Sequence, residues 1–530
     1  MALPFKLPEI LAQERTPLVE RLSEIIQGQA EFIQRLKDEI AILKNLKTRP
    51  KIRPSRLDEQ SGPERKNTST EDKTEATSRK RSKTASLEIH ETQIIPPAVK
   101  PEGSRFKGYD DYVVQDISIK THNIVYRLER WLTAEGAYVV GQLPAAVLGG
   151  HFGPALVSYI LSQYYDCHVT QPLLLKQLLE MGIDISAGQL STLLTEDNEI
   201  FHAEKEELLR AGLEASSHIT VDDTGARHAG RNGYCTHIGN DCFAYFQSTD
   251  HKSRINFLEL LRAGQTDYCL DADAYAYMQK QKMHPQALEK LSAHPVQNFA
   301  DKQQWETHLQ GLGITAKSSV RIATEGALLG SALNHGLRKD WVTVSDDAGQ
   351  FNVLLHGLCW VHAERAIKKL IPFDEPQRKA VVTTRSQIWE FYADLKAYKL
   401  SPCAEAKVQL EARFDKIFTA QTCYQTLNAA LQRLQANKRE LLLVLERPEI
   451  PLHTNGSERD IREYVKKRKV SGGTRGENGR KSRDTFASLK KTCRKWGLSF
   501  RDYLLDRLSG WNRMPFLPDL IRKQKQAVQT

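Results

Sequence analysis

The chain has 530 residues, too many for one ordinary domain. Lys plus Arg number 75 against 65 Asp plus Glu, a net charge of +10 that makes a polyanionic partner plausible. No stretch approaches the about 18 apolar residues of a membrane span, the first residues lack a secretory leader, and the eight cysteines are scattered without a C-x-x-C, so no membrane association and a cytoplasmic protein are expected.

In chain order, Val19, Leu22, Ile26, Gln29, Ile33, Leu36, Ile40 and Leu43 alternate spacings of three and four. That is the seven-residue repeat of a coiled coil, with Gln29 as its polar seam position. Residues 1–47 are therefore expected to form an oligomerisation helix that makes a homo-oligomer; an amphipathic helix packed on its own domain is the alternative. Residues 48–105 lack Phe, Tyr and Trp and carry 13 basic against 9 acidic residues, which predicts a disordered basic linker.

Residues 106–210 read as a helical domain, with helical patterns at 121–133 and 153–165. The stretch 169–196 holds two more, split by Gly182, with Ser186 and Gln189 set as a capping box. Helix, glycine turn and helix suit a helix-turn-helix DNA reader or an ordinary helical hairpin.

From residue 218 the period becomes two. Residues 218–224 predict a strand ending at Asp222 and Asp223, and residues 233–239 and 242–249 a hairpin about Asn240-Asp241. A helix follows at 254–262, and a strand at 341–347 ends at Asp346 and Asp347. Residues 376–446 turn helical, and a last helix runs from Ser457 to about Arg468. The pattern predicts an α/β fold, a mixed sheet covered by helices.

Asp222, Asp346 and Glu458 stand out. Two sit at strand ends and one at a helix start, so a sheet edge can bring them together. Alone, each reads equally as a turn residue or a favourable helix-dipole charge. Together they repel one another unless a cation neutralises them, and Mg²⁺ or Mn²⁺ suits all-oxygen ligands. Two such ions about 3.5–4 Å apart can stabilise both oxygens of a phosphoryl displacement.

Residues 458–495 hold 14 basic and 5 acidic residues, a net +9. Arg459, Arg462, Lys466, Lys467, Arg468 and Lys469 fall on the helix. Arg475, Arg480 and Lys481 fall in a glycine-rich stretch, expected to be flexible. Such a tract suits nucleic-acid phosphates. Cys359-x-x-His362 is half of a zinc pair without a clear second half, and Cys235, His237 and Cys242 fall in the hairpin. No glycine-rich nucleotide loop with its lysine occurs.

These residues resemble the insertion-sequence-66 family of bacterial DDE transposases over roughly residues 106–510. The resemblance rests on Val113-Val114-Gln115-Asp116 with Tyr126-Arg127-Leu128-Glu129-Arg130-Trp131; on Asp222-Asp223-Thr224; on Ser345-Asp346 followed by Cys359-Trp360-x-His362-x-x-Arg365; and on Asn455-x-x-Glu458-Arg459-x-x-Arg462. It implies a ribonuclease-H-like catalytic fold over 211–372 and 449–530, interrupted by a helical insertion domain at 373–448. It also implies Mg²⁺-dependent cutting and joining of transposon-end and target DNA, with Asp222, Asp346 and Glu458 as catalytic metal ligands. Small accessory proteins and a place at the bacterial nucleoid come with it. Both aspartate motifs depart from the family pattern and leave adjacent aspartates, so Asp223 or Asp347 can replace its neighbour. The rival readings are a non-catalytic, domesticated DNA-binding protein and a scaffold assembled through the coiled coil.

Overall fold

The computed structural model describes residues 87–144, 147 and 150–529, together with isolated positions between 16 and 29. The chain divides into two units, residues 26–122 and residues 1–25 with 123–530. In the first, residues 87–122 form neither helix nor strand, and Phe106, Tyr109, Tyr112 and Ile117 are exposed. Of the expected coiled-coil seam, Val19, Leu22, Ile26 and Gln29 are helical, while Ile33, Leu36, Ile40 and Leu43 lie outside the described residues, as does the linker to residue 86.

The helix expected over 121–133 is not formed. Residues 121–129 are irregular, and a hairpin of β1 (Arg130–Leu132) and β2 (Tyr138–Val140) follows. Thr133 and Ala137 close its turn, with Gly136 at φ +80°, and the Arg130 guanidinium lies 3.9 Å over the Tyr138 ring. The apolar spacing there suits either period, and the glycine turn decides it.

Helices then follow as expected: α1 (Pro154–Leu161), α2 (Gln171–Glu180), α3 (Ala187–Thr195) and α4 (Glu199–Ala215). Gly182 turns the chain between α2 and α3 at φ +78°. Ser186 and Gln189 form the reciprocal capping box at the head of α3.

The central sheet comes from distant parts of the chain. Its strands are β3 (His218–His228), β4 (Arg231–Gly239) and β5 (Ala244–Thr249), then, after a long interruption, β8 (Val342–Ser345) and β9 (Leu355–Leu358). The order is β5-β4-β3-β8-β9. The first three strands are antiparallel, and β8 and β9 run parallel to β3. The interruption holds α5 (Arg254–Leu261), α6 (Ala272–Lys280), α7 (Pro285–Ala293), α8 (Lys302–Gly311), α9 (Lys317–Asn334) and a small ladder of β6 (Tyr268–Cys269) with β7 (Asn298–Phe299).

β3 is longer than the sequence suggested. It continues four residues past Thr224 and pairs with β4 along its length, so Asp222 lies mid-strand and not at its end. Alternation puts Thr220, Asp222 and Ala226 on one face and Ile219, Val221 and Asp223 on the other. The second face packs into the main core with Leu208 and Leu209 of α4.

After β9 come α10 (Trp360–Lys368), then α11 (Glu375–Leu400), α12 (Ala404–Phe418), α13 (Gln425–Ala436) and the short α14 (Lys438–Leu441). Trp360 joins this helical block to the sheet. Its ring packs among Phe391, Phe414 and Phe418, and its indole N–H donates to the Leu441 carbonyl. The chain ends with α15 (Asn455–Ser471), α16 (Glu477–Lys495), α17 (Phe500–Leu508) and α18 (Leu517–Gln529).

α15 covers the Asp222 face of the sheet, with Ile461 and Tyr464 against Ala226, Cys235 and Phe246. α16 seals the β5 edge. Thr492, Ser488 and Asp484, one helical turn apart, accept from the N–H groups of Ala244, Phe246 and Ser248. Four helical residues rise about 6 Å and two strand residues about 6.7 Å, so the two rows match. The edge cannot then template pairing with another chain.

Candidate active site

The register brings the two aspartates together. Thr220 of β3 pairs with Val344 of β8, and Asp222 and Asp346 each lie two residues further along parallel neighbours. α15 supplies the third acid. Its Ser457 hydroxyl donates to the Thr220 hydroxyl at 2.7 Å, which sets Glu458 above this point of the sheet.

The electrostatics record the convergence. Burial, together with the charges of Asp346 and Glu458, pushes the Asp222 carboxyl up to about 6, against a lowering bond from the Asp223 N–H. Asp346 is partly buried and accepts from the Ala348 N–H at 3.1 Å.

Glu458 is differently placed. Arg365 of α10 grips it at two points, Nη1 to Oε1 at 2.7 Å and Nη2 to Oε2 at 3.4 Å. His362 Nε2 lies 3.5 Å from Oε1, and Arg462 Nη2 lies 3.4 Å from Oε2. Burial opposes ionisation, but Arg365 first, then His362 and Arg462, hold the carboxyl below its usual range. Cys359 stands behind His362. Burial would raise its thiol, but the bond and charge of His362 outweigh that and lower it. His362 and Arg365 of α10 thus point at Glu458, with Cys359 at the N-cap behind His362, and no zinc pair is needed to explain their spacing.

The adjacent aspartates go elsewhere. Asp223, on the opposite face, accepts from Thr236 Oγ1 at 2.5 Å and Gln350 Nε2 at 3.0 Å, with Lys252 at 3.6 Å. Asp347 is exposed, with Asn437 Nδ2 at 3.4 Å. His237, opposite Asp222 in the ladder, is buried and lies 3.3 Å from Asp460 of α15. Cys235 is buried beside it, and Cys242 lies at the β4–β5 turn. Among the described residues, no three His, Cys, Asp or Glu side chains are arranged as metal ligands.

The basic tract separates into two sets. Arg459, Lys466, Lys469, Arg475 and Lys481 are exposed, and Arg462 projects beside Glu458. Arg468 is half-buried, and Arg480 is paired with Asp250 and Glu477. Lys467 does not belong to the surface. It is buried, donates to the Tyr164 carbonyl at 2.5 Å and lies 3.2 Å over the Tyr164 ring. Its helix position, in register with Ser457, Tyr464 and the buried face, turns it inward, and burial with the charges of Arg483 and Lys490 lowers its ammonium to about 7.

The glycine stretch is pinned. Thr474 N–H donates to the Arg227 carbonyl at 3.0 Å, and Ala229 N–H to the Thr474 carbonyl at 2.8 Å. Gly473 has φ +122°, and a Cβ there would meet the Arg227 oxygen at 2.6 Å. The roles of Arg365 and His362 toward Glu458 were visible in the sequence only as a motif.

A family model described as the Transposase IS66 family matches residues 341–482, which contain Asp346, the Cys359–Arg365 face, Glu458 and most of the basic tract. The chain is also 46% identical over 303 residues to an uncharacterized protein, y4jO, of Sinorhizobium fredii (strain NBRC 101917 / NGR234). That match covers 57% of this chain and 94% of the relative. Among the described residues, no helix is long and apolar enough to cross a membrane.

Proposed function

The chain belongs to the IS66 family of transposases, and on that premise we propose that it is a DDE enzyme which binds transposon-end DNA and cuts and joins phosphodiesters. The observation that supports this most is the meeting of Asp222 and Asp346 on neighbouring parallel segments with Glu458 above them; burial first, and then the charges of Asp346 and Glu458, make Asp222 hard to ionise. The five-stranded mixed sheet is read as a ribonuclease-H-like core, with α11 to α14 as its helical insertion.

Asp222 and Asp346 fit a hard divalent cation: the donors are all oxygen, and their mutual repulsion is what a cation relieves. Glu458 fits as the third donor with Arg365 holding it in place, since a carboxylate has lone pairs for both a guanidinium and a cation. A bound Mg²⁺ or Mn²⁺ would activate the attacking hydroxyl and stabilise the leaving oxygen. The protein's own part is positioning. The β3–β8 register fixes two carboxylates, and Ser457 on Thr220 fixes the start of α15. Arg459, Arg462, Lys466, Arg468, Lys469, Arg475, Arg480 and Lys481 hold the DNA backbone. The protein works at the nucleoid as a homo-oligomer through its N-terminal seam, with accessory proteins of the same element.

Strand transfer from a pre-cut duplex carrying the element's own terminal sequence tests the reading. Asp222→Ala and Asp346→Ala should each abolish Mg²⁺-dependent joining and leave end binding intact. Full joining by Asp346→Ala sinks the assignment. End binding without joining by the unaltered protein points to a non-catalytic DNA-binding protein.

A further inference from the structure

The β3–β4 hairpin runs past the candidate site and ends in a tip at Ala229 and Gly230, both with positive φ. Arg227 and Arg231 flank that tip, and both are exposed. The carboxylates that border it, Asp250 and Glu477, are taken up by Arg480 and His228. The Thr474 backbone bonds tie the tip to the basic loop, and the Arg468 guanidinium lies 3.1 Å from where a Cβ on Gly225 would sit. Two segments far apart in sequence therefore present one basic surface: Arg227 and Arg231 from the hairpin, and Arg468, Lys469 and Arg475 from the end of α15 and its loop.

We propose that this hairpin tip is a second grip on DNA, with Arg227 and Arg231 contacting backbone phosphates about five base pairs from the phosphate held at Asp222. The inference rests on the DNA-processing reading above. Its ruler is the strand. Asp222 and Arg227 are five residues apart on β3, about 17 Å at the usual strand rise, and the odd separation turns Arg227 to the opposite face, so the DNA reaches it around the strand edge that Thr474 borders. Duplex DNA advances about 3.4 Å per base pair, so that length spans about five pairs. The bond between tip and loop keeps the ruler rigid, and the exposed guanidinium groups suit two-point contact with phosphate.

The test measures affinity for a duplex several helical turns long, as a function of salt, for the full chain and for Arg227→Ala/Arg231→Ala. Each lost phosphate contact should lower the slope of log affinity against log salt by about 0.9, and weaken binding about eightfold at 0.1 M salt. Arg227→Lys/Arg231→Lys should keep most of the slope. A pre-cut duplex with a neutral methylphosphonate patch about five base pairs from its end should weaken binding of the unaltered protein and leave the double-alanine variant indifferent. A steep slope that is the same in both proteins overturns the hairpin grip alone. A flat slope in the unaltered protein overturns the grip and the DNA reading together. Both side chains are exposed, so the melting temperature of the variant should match that of the unaltered chain and separate lost contact from lost fold.

Discussion

Arg365 and Glu458 lie 93 residues apart on different helices and meet as a two-point ion pair. Arg365→Ala should therefore release a half-buried carboxylate from its strongest partner. The expected loss is about 1–2 kcal/mol in urea unfolding, less than the 3–5 of a fully buried pair because the guanidinium is partly solvated. Strand transfer should fall further than stability does. Arg365→Lys, one charge without the fork, should recover stability better than activity. Equal loss of joining in both variants with no shift in unfolding would contradict this account.

Asp223 and Asp347 give a contrasting pair. Asp347 is exposed, so Asp347→Ala should leave joining and stability within about 0.5 kcal/mol of the unaltered protein. Asp223→Ala strips Thr236 and Gln350 of an acceptor and should cost about 1–3 kcal/mol of stability. Joining lost only in Asp347→Ala would move the ligand by one residue.

Lys467 tests the division of the basic tract. Lys467→Met should leave the salt slope of duplex binding unchanged, whereas Lys469→Ala should lower it by about 0.9. The methionine keeps the apolar stem but removes the donor to the Tyr164 carbonyl, so a stability loss of about 1–3 kcal/mol is expected without any change in slope. A fall in slope with Lys467→Met would return that residue to the surface.

His202 carries a pH dependence. It is buried, its Nδ1 lies 2.8 Å from Thr485 Oγ1, and burial with the nearby Lys481 charge lowers it to about 4. The unfolded chain takes up a proton near 6.5 and the folded chain only near 4, so stability is lost as pH falls through that window. His202→Gln should flatten the fall in urea midpoint between pH 7 and pH 5. An unchanged slope would place the acid sensitivity in other groups.

Gly473→Ala should be costly for a position in a loop. It combines a left-handed backbone with a Cβ against the Arg227 carbonyl oxygen, and an unfolding loss of about 1–3 kcal/mol is expected. The loop should come off the hairpin tip, and protease cleavage near Arg475 should speed up. Unaltered cleavage would show that the pin is dispensable.

Much of this was legible from residue patterns. The two-residue period gave β4, β5 and β8 nearly to their ends, and Ser186 with Gln189 gave the head of α3. The strand expected over 218–224 runs on to His228, through Gly225, where the missing side chain makes room for Arg468. The choice of Asp222 over Asp223 needs the ladder, since only the register with β8 says which face meets Asp346. Lys467 was misplaced because its charge drew more weight than its spacing from Ser457 and Tyr464. Arg365 could be seen only as a motif, because no local rule links residues so far apart.

The candidate site is drawn from residues 222, 346 and 458, with two long helical stretches between them. A chain leaving the ribosome can fold its β3–β5 meander early, but β8 and α15 arrive only after hundreds of further residues. Nascent or truncated copies therefore lack the third carboxylate and most of the basic surface at once. On the proposed reading the protein becomes competent only once α15 has been made, because that one helix delivers both the third carboxylate and the start of the basic surface.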